Sequence, residues 1–197
     1  MRGKRSIWVV CLATTYCGAC FAAQAVAGSV EDHVQNARAL QQQGKYRASV
    51  DEWRAALKLA PGDRHLQHQL AIALFLTQDY NGILPQLREF LKADPRSANL
   101  NFFVGDCLLE TAQINDAVSY LETALHLDPK MLPAHVALGI CYVHLDEPKK
   151  AIPHLKMGLK LDKDGSLYYQ LARAYRATGQ PELAKQAMAE YQALSHQ

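Results

Sequence analysis

The sequence predicts an all-α protein built as a stack of short helix pairs, and three observations indicate this fold class. The 197 residues are 49% hydrophobic and 20% charged, which allows a sizeable buried core and argues against an intrinsically disordered chain. Pro61, Pro95 and Pro129 are spaced 34 residues apart, and each follows an apolar run. Between the prolines, apolar residues recur with the periodicity of amphipathic helices. An internal repeat of this length is typical of tandem helical arrays.

Residues 1–27 have the three-part pattern of a secretory signal peptide. Three basic residues, Arg2, Lys4 and Arg5, precede a largely apolar stretch over 7–21, and small residues follow it. We therefore expect the protein to be exported, to the periplasm or out of the cell. An uncleaved membrane anchor is the alternative, since residues 6–27 are just long enough to span a bilayer.

The small residues at the end of this segment predict where it is cut. Signal peptidase needs small side chains one and three residues before the scissile bond, and Ala25 and Ala27 meet that need for cleavage before Gly28. Cleavage after Ala25 is a second possibility. Once Arg2, Lys4 and Arg5 are removed, 18 basic and 19 acidic residues remain, so the formal net charge falls from +2 to −1. No basic patch then remains to predict a nucleic-acid partner, and we expect no membrane span after cleavage.

Three of the five cysteines lie in the same segment. Cys17 and Cys20 form a CxxC pattern, which elsewhere indicates a redox or metal site. Within a signal segment, with no histidine nearby, we do not interpret it so. A lipid anchor at Cys20 is also disfavoured, because Cys17 occupies the position where bacterial lipoprotein signals usually carry leucine.

The 34-residue period divides the rest of the chain into helix, tight turn, helix and stop. A residue that precedes proline avoids the α region, so the second helix of each unit must end there. Turn sequences recur between the two helices at Gly44-Lys45-Tyr46, Gln78-Asp79-Tyr80, Asp146-Glu147-Pro148 and Gly179-Gln180-Pro181. Small residues follow in register at Ser49, Ala117, Ala151 and Ala184, with Ile83 in the second unit. Because two short helices cannot bury their own apolar faces, neighbouring units must stack.

The two helices of a unit differ in polarity. The second helices, such as 48–59 and 149–161, are amphipathic, with lysines and acidic residues opposite the apolar positions. Pro85 and Pro153 are expected near the first turn of such helices, where a missing N–H costs little. The first helices of the middle units, such as 66–76, are apolar on nearly all sides. A helix of that kind is either buried all round or presents an apolar face to a partner.

The repeats resemble the tetratricopeptide repeat (TPR) family. That pattern has Leu-Gly or Leu-Ala in the first helix with Tyr a few residues on, then a small residue in the second helix and a final Pro. The fourth unit has Leu138-Gly139 with Tyr142, and the last has Leu171-Ala172 with Tyr175, whereas Ile83 departs from the pattern. The resemblance implies a right-handed α-solenoid of about five helix-turn-helix repeats over residues 28–197. The repeats would be 30–63, 64–97, 98–131, 132–164 and 165–197.

The same resemblance implies that the first helices line a concave groove that binds a protein or peptide. The groove-facing residues would be His65, His68, Ile72, Phe75, Phe102, Asp106, Leu109, Val136, Ile140, Val143, His144, Tyr169, Arg173 and Arg176. They would form an apolar channel with a polar end, suited to a helix or extended peptide with apolar anchors. Alternatively, stacking between neighbouring helices covers these faces, and the sequence leaves the two open.

One variant of the family is not predicted. Its carboxylate clamp uses Lys, Asn and Arg on the first helices to bind a peptide C-terminus, but Val, Ile, Phe and His stand at those positions here. Arg173 and Arg176 could bind an acidic group, although a solvated face is the commoner reason for such a pair.

No catalytic or cofactor motif is found. We therefore expect that the protein is not an enzyme and that it binds no cofactor and no metal ion. His65 and His68 lack a third ligand, and His135, His144 and His154 are predicted to lie on different helix faces. Cys107 and Cys141 hold the same place in adjacent repeats, so we expect them to be buried free thiols. Asp106 and Glu110 are interpreted as solvated, or as contacts for Arg or Lys.

The sequence therefore predicts an exported, non-catalytic scaffold that binds other proteins in an apolar groove, with an envelope assembly or accessory role. The alternative is a self-associating structural module of the cell envelope. No polar capping helix follows the last helix, so a homodimer could form through the C-terminal repeat. The apolar residues of that helix are Leu183, Ala187, Met188, Tyr191 and Leu194.

Overall fold

The computed structural model describes residues 28–195, and this part of the chain is all helical apart from turns and short connections. The predicted signal peptide, with Cys11, Cys17 and Cys20, lies outside the described residues. The ten α-helices of the described part are α1 (Val30–Gln42), α2 (Tyr46–Leu59), α3 (Arg64–Leu76), α4 (Tyr80–Ala93), α5 (Ala98–Glu110), α6 (Ile114–Leu127), α7 (Leu132–His144), α8 (Pro148–Gly158), α9 (Ser166–Ala177) and α10 (Pro181–Ser195). A 3-10 helix, Leu159–Leu161, continues α8.

The helices form five consecutive antiparallel pairs that stack into an all-α solenoid. The second helix of each repeat packs against the first helix of the next one, as α2 does on α3 and α6 on α7. In addition, α3 packs on α5, α5 on α7 and α7 on α9, whereas consecutive second helices make little contact with each other. Neighbours are closer on the inner side of a curved stack, so the first helices form the concave surface, which we call the groove.

The turn within each repeat has one residue in the left-handed region. These residues are Gly44 (φ 72°), Gln78 (58°), Ala112 (59°), Asp146 (56°) and Gly179 (72°). Their spacing is 34 residues until the last interval, which is 33. The missing residue falls in the connection from α8 to α9, where Gly165 also adopts a positive φ of 81°.

The core repeats with the same period. Trp53, Leu87, Leu121 and Leu155 stand at one position of successive second helices, and each is 0% exposed. The first helix faces them with a small residue, which is glycine in the third and fourth repeats. A Cβ added to Gly105 would lie 2.7 Å from Cγ of Leu121. The close approach of the two backbones therefore depends on glycine.

The second repeat is packed differently. Ile83 stands where the other repeats have serine or alanine. Helices α3 and α4 accordingly make fewer contacts with each other than the helices of the other repeats do. The departure of Ile83 from the repeat pattern thus has a direct structural counterpart.

The two helical prolines lie deeper in their helices than expected. Pro85 is inside α4 and Pro153 inside α8, each one turn beyond the first. At these positions each proline removes a hydrogen bond of the helix. Helix α8 is also short, with 11 residues before the backbone tightens into the 3-10 helix.

Candidate functional site

The groove contains a cavity of about 630 Å³ that we call the central cavity. Helices α3, α5 and α7 form its walls, and the connection from α8 to α9 forms its rim. Its volume lies within the range of about 300–1,000 Å³ typical of ligand pockets. Six residues predicted from the sequence line it: Phe75, Phe102, Asp106, Leu109, Val136 and Ile140. All six are half-buried, so stacking covers part of each side chain and leaves the rest open to the cavity.

An aromatic cluster forms one wall of the central cavity. The ring of Phe75 stacks on Phe103 with 4.7 Å between centroids, and it lies 5.8 Å from the ring of Phe102. The ring of Tyr80 meets Phe75 edge-on at 6.3 Å. Aromatic pairs at such distances stabilise each other beyond the area they bury, so this wall is packed before any ligand arrives.

The opposite rim comes from residues that the sequence analysis did not assign to the groove. Leu161, Asp162, Lys163 and Asp164 line the cavity from the α8–α9 connection. Leu161 is 45% exposed although it is a large apolar side chain. The only sequence signal for this segment is the 33-residue interval, which marks the connection as irregular.

Asp106 is an acidic group on the α5 wall, which also carries Phe102, Leu109 and Glu110. The positions equivalent to it in the neighbouring repeats are Ile72 and Ile140. Burial, and secondly the charge of Glu110, raise the pKa of Asp106 to about 6. Contrary to the sequence interpretation, Asp106 is neither fully solvated nor a contact for Arg or Lys within the described chain.

The other predicted groove residues lie outside the central cavity. His65 and His68 line a separate depression of about 290 Å³ beside Phe90 and Asp94. His68 is used in packing, since its Nε2 lies 3.1 Å from the Asn99 amide nitrogen on α5, and burial lowers its pKa.

At the C-terminal end, Val143, Arg173 and Arg176 line a further depression of about 330 Å³. Tyr169 is 41% exposed, and its ring lies 5.5 Å from that of Tyr191. Ile72 is half-buried against the core, and His144 is exposed at the end of α7. Most of the predicted groove residues therefore line one of three separate depressions.

The two cysteines of the described chain are buried and free, as predicted. Burial, and secondly the charge of Asp106, raise the pKa of both Cys107 and Cys141 to about 12. Both thiols are therefore protonated at neutral pH and act as small apolar side chains.

His135 and His154, predicted to lie on different helix faces, lie on two helices whose contact brings them together. Their Nδ1 atoms are 2.9 Å apart, at the contact between α7 and α8. Nε2 of His135 also lies 3.1 Å from the carbonyl oxygen of Pro129, and Tyr142 donates a 2.6 Å hydrogen bond to Glu122 nearby. The 19-residue spacing of the histidines is the signal that was missed, because it joins facing positions of one helix pair.

Among residues 28–195, no helix is both long and apolar enough to cross a membrane. Within the same range, no three His, Cys, Asp or Glu side chains come together in a way that could bind a metal ion.

On the C-terminal helix, Leu183 is exposed, whereas Ala187 is buried against α9. Met188, Tyr191 and Leu194 are half-buried. Only part of the apolar surface predicted for a homodimer is therefore open.

Comparison with known proteins identifies the repeats. Residues 34–82, 108–171 and 165–195 each match the tetratricopeptide repeat. Together these segments cover most of the described chain, and the chain belongs to the tetratricopeptide repeat proteins. The fold indicates a protein–protein interaction scaffold, and proteins of this kind are generally non-catalytic.

Solved structures agree with this assignment at low sequence identity. MamA 41-end from Desulfovibrio magneticus RS-1 is 18% identical, with a TM-score of 0.71, and the match covers 85% of this chain and 95% of that one. A thermophilic TPR protein in Thermus thermophilus is 22% identical, with a TM-score of 0.60 and coverage of 86% and 93%. PilF from Pseudomonas aeruginosa is 19% identical, with a TM-score of 0.67 and coverage of 83% and 75%. The comparison with curated proteins gave no match.

Proposed function

We propose that the protein is an exported, non-catalytic scaffold that binds a segment of another protein in the central cavity of its groove, in an assembly or accessory role in the cell envelope. The observation that supports this most is the half-buried state of the apolar residues lining the cavity. Stacking has not consumed these faces, and their exposed parts converge from three successive repeats on one space of about 630 Å³. Covering converging apolar surface of this kind with a partner lowers the free energy of the system, so it favours binding.

Leu161 and Leu59 provide a matched pair of variants to test this use of the cavity. They occupy equivalent positions, three repeats apart, and are 45% and 51% exposed. Because both project into solvent, changing either to glutamate should leave the fold intact. Of the two, Leu161 lines the central cavity and Leu59 does not.

The experiment is affinity capture from the envelope fraction with wild-type protein, Leu161→Glu and Leu59→Glu. We expect Leu161→Glu to lose the captured proteins and Leu59→Glu to retain them. The same set with all three would contradict a role for the cavity. Sedimentation at several concentrations distinguishes binding of another protein from self-association, in which the captured protein is the chain itself.

Export is tested separately on the chain expressed in full. We expect purified protein from the extracytoplasmic fraction to begin at Gly28, or at Val26 for the second cleavage position. An N-terminus at Met1 in the membrane fraction would favour the anchor instead.

A further inference from the structure

The central cavity has a charge pattern that selects among apolar partners. Four carboxyl groups line it, on Asp106, Glu110, Asp162 and Asp164, against the single cation of Lys163. A net negative lining disfavours an acidic segment and favours one that carries positive charge.

Two of these carboxylates already have partners in the connection before α9. Asp162 accepts hydrogen bonds of 3.1 Å from the backbone N–H groups of Leu167 and Tyr168. Asp164 accepts one of 3.0 Å from the N–H of Ser166. Both therefore accept hydrogen bonds from backbone N–H groups of the first turn of α9, which have no partner within the helix.

Asp106 differs from them because it has no such partner. No hydrogen bond or ion pair joins its side chain to another group in the described chain, and its neighbours along the groove are Phe102, Leu109 and Ile140. Partial burial without a counter-charge disfavours its ionised form, in keeping with its raised pKa. A cation delivered by a ligand would remove this penalty on binding.

We propose that the central cavity binds a partner segment in which an Arg or Lys side chain pairs with Asp106 while large apolar side chains beside it contact the Phe75–Phe102 wall and the Val136–Ile140 wall. This inference rests on the proposed function, since it specifies what the cavity recognises. Position 106 then determines specificity, because the isoleucines at the equivalent positions of the neighbouring repeats cannot form an ion pair with a cation.

The test is selection from a random peptide display library on the purified protein, followed by measurement of affinity for the best synthetic peptide. We expect the selected peptides to carry Arg or Lys flanked by large apolar residues. Asp106→Asn should lower the affinity for the peptide by about tenfold or more, as expected for a lost charge-assisted hydrogen bond. Asp116→Asn, which changes an exposed aspartate on α6, is the matched control and should bind as wild type.

A double-mutant cycle then isolates the charge pair. Replacing the peptide's Arg by Gln should weaken binding to the wild type but have little further effect on Asp106→Asn. If the peptides lack a basic residue, or the two changes are additive, the inference is wrong. If the Leu161→Glu variant nonetheless fails to bind those peptides, the proposed use of the cavity stands. If no peptide is selected, or Leu161→Glu has no effect on binding, both proposals fail.

Discussion

His135 and His154 occupy the same two positions in the fourth repeat that His33 and Glu52 occupy in the first. In the first repeat, Nδ1 of His33 lies 2.6 Å from a carboxylate oxygen of Glu52. In the fourth repeat, the two Nδ1 atoms are 2.9 Å apart. The Pro129 carbonyl can only accept, so Nε2 of His135 carries a proton, and in the neutral pair its Nδ1 accepts from Nδ1–H of His154.

This pair should make stability depend on pH. The pKa of His154 is lowered, first by burial and then by His135, from its ordinary value of 6.5. As pH falls through 6.5 the unfolded chain binds the proton before the folded chain does, so stability present above that pH is lost below it. Asparagine at 154 can still donate to His135 but does not titrate. We expect His154→Asn to lie within about 1 kcal/mol of the wild type at pH 7.5 and to gain stability relative to it at pH 5.5.

Urea denaturation followed by circular dichroism at pH 7.5, 6.5 and 5.5 measures this difference. The control is His126→Asn, at an exposed position of α6. If wild type and His154→Asn lose stability in parallel over this range, the histidine pair is not the source of the pH dependence.

Asp106 should have the opposite effect on stability. Its pKa is raised from 3.8 to about 6 in the folded state. The folded chain therefore binds the proton first, and the ionised group destabilises the protein above pH 6 but not below pH 4. We expect Asp106→Asn to raise the free energy of unfolding at pH 7.5 by on the order of 2 kcal/mol, with the gain disappearing near pH 4. Unchanged stability at pH 7.5 would mean that Asp106 is effectively solvated.

The contact between Gly105 and Leu121 should tolerate no additional atom. In Gly105→Ala the new Cβ would lie 2.7 Å from Cγ of Leu121 and 3.3 Å from the backbone oxygen of Ala117. We expect a loss of about 1–3 kcal/mol in the free energy of unfolding, as for other overpacked cores. Gly62→Ala meets no atom within 4 Å and should stay within about 0.5 kcal/mol of the wild type. Chemical denaturation of both variants is the measurement, and equal effects would refute close packing at residue 105.

The turn residues allow a reciprocal exchange. Ala112 adopts a φ of 59° and Gly44 one of 72°, at equivalent positions of two turns. An L side chain in this region costs about 1 kcal/mol, whereas glycine adds flexibility to the unfolded chain. We expect Ala112→Gly to stabilise the protein by roughly 0.5 kcal/mol and Gly44→Ala to destabilise it by about the same amount. Thermal unfolding of the two variants should shift in opposite directions, and shifts of the same sign would be inconsistent with the turn geometry.

The periodic features of the fold could be predicted from the sequence because the same residue types recur at equivalent positions of the repeats. The prolines, the turn residues and the small residue in four of the five second helices predicted the helix pairs and their stacking. The residues lining the central cavity, such as Phe102 and Ile140, were expected to face a groove because the resemblance to the tetratricopeptide repeat family implies that the first helices line it. What the sequence analysis missed depends on departures from the period. The shortened connection before α9 brings Leu161 and Lys163 to the rim of the cavity, and a spacing rule cannot foresee that placement.

Contacts across a helix pair were missed for a different reason. The meeting of His135 with His154 depends on how far one helix is advanced against the other, and the turn between them sets that offset. Once the offset is known from His33 and Glu52 in one repeat, it applies to all of them. Periodicity thus located the helices, and the close packing of their backbones then determined which side chains meet.

Occupation of the cavity should also affect the stability of the N-terminal repeats. In a linear array each repeat is stabilised only by its neighbours. Side chains of successive repeats line the cavity, so opening of the second repeat would take Phe75 away and remove one wall of the cavity while the later repeats stay folded. Occupancy of the cavity and integrity of the N-terminal repeats are therefore thermodynamically linked: a bound segment should slow amide exchange in α3 more than in α9.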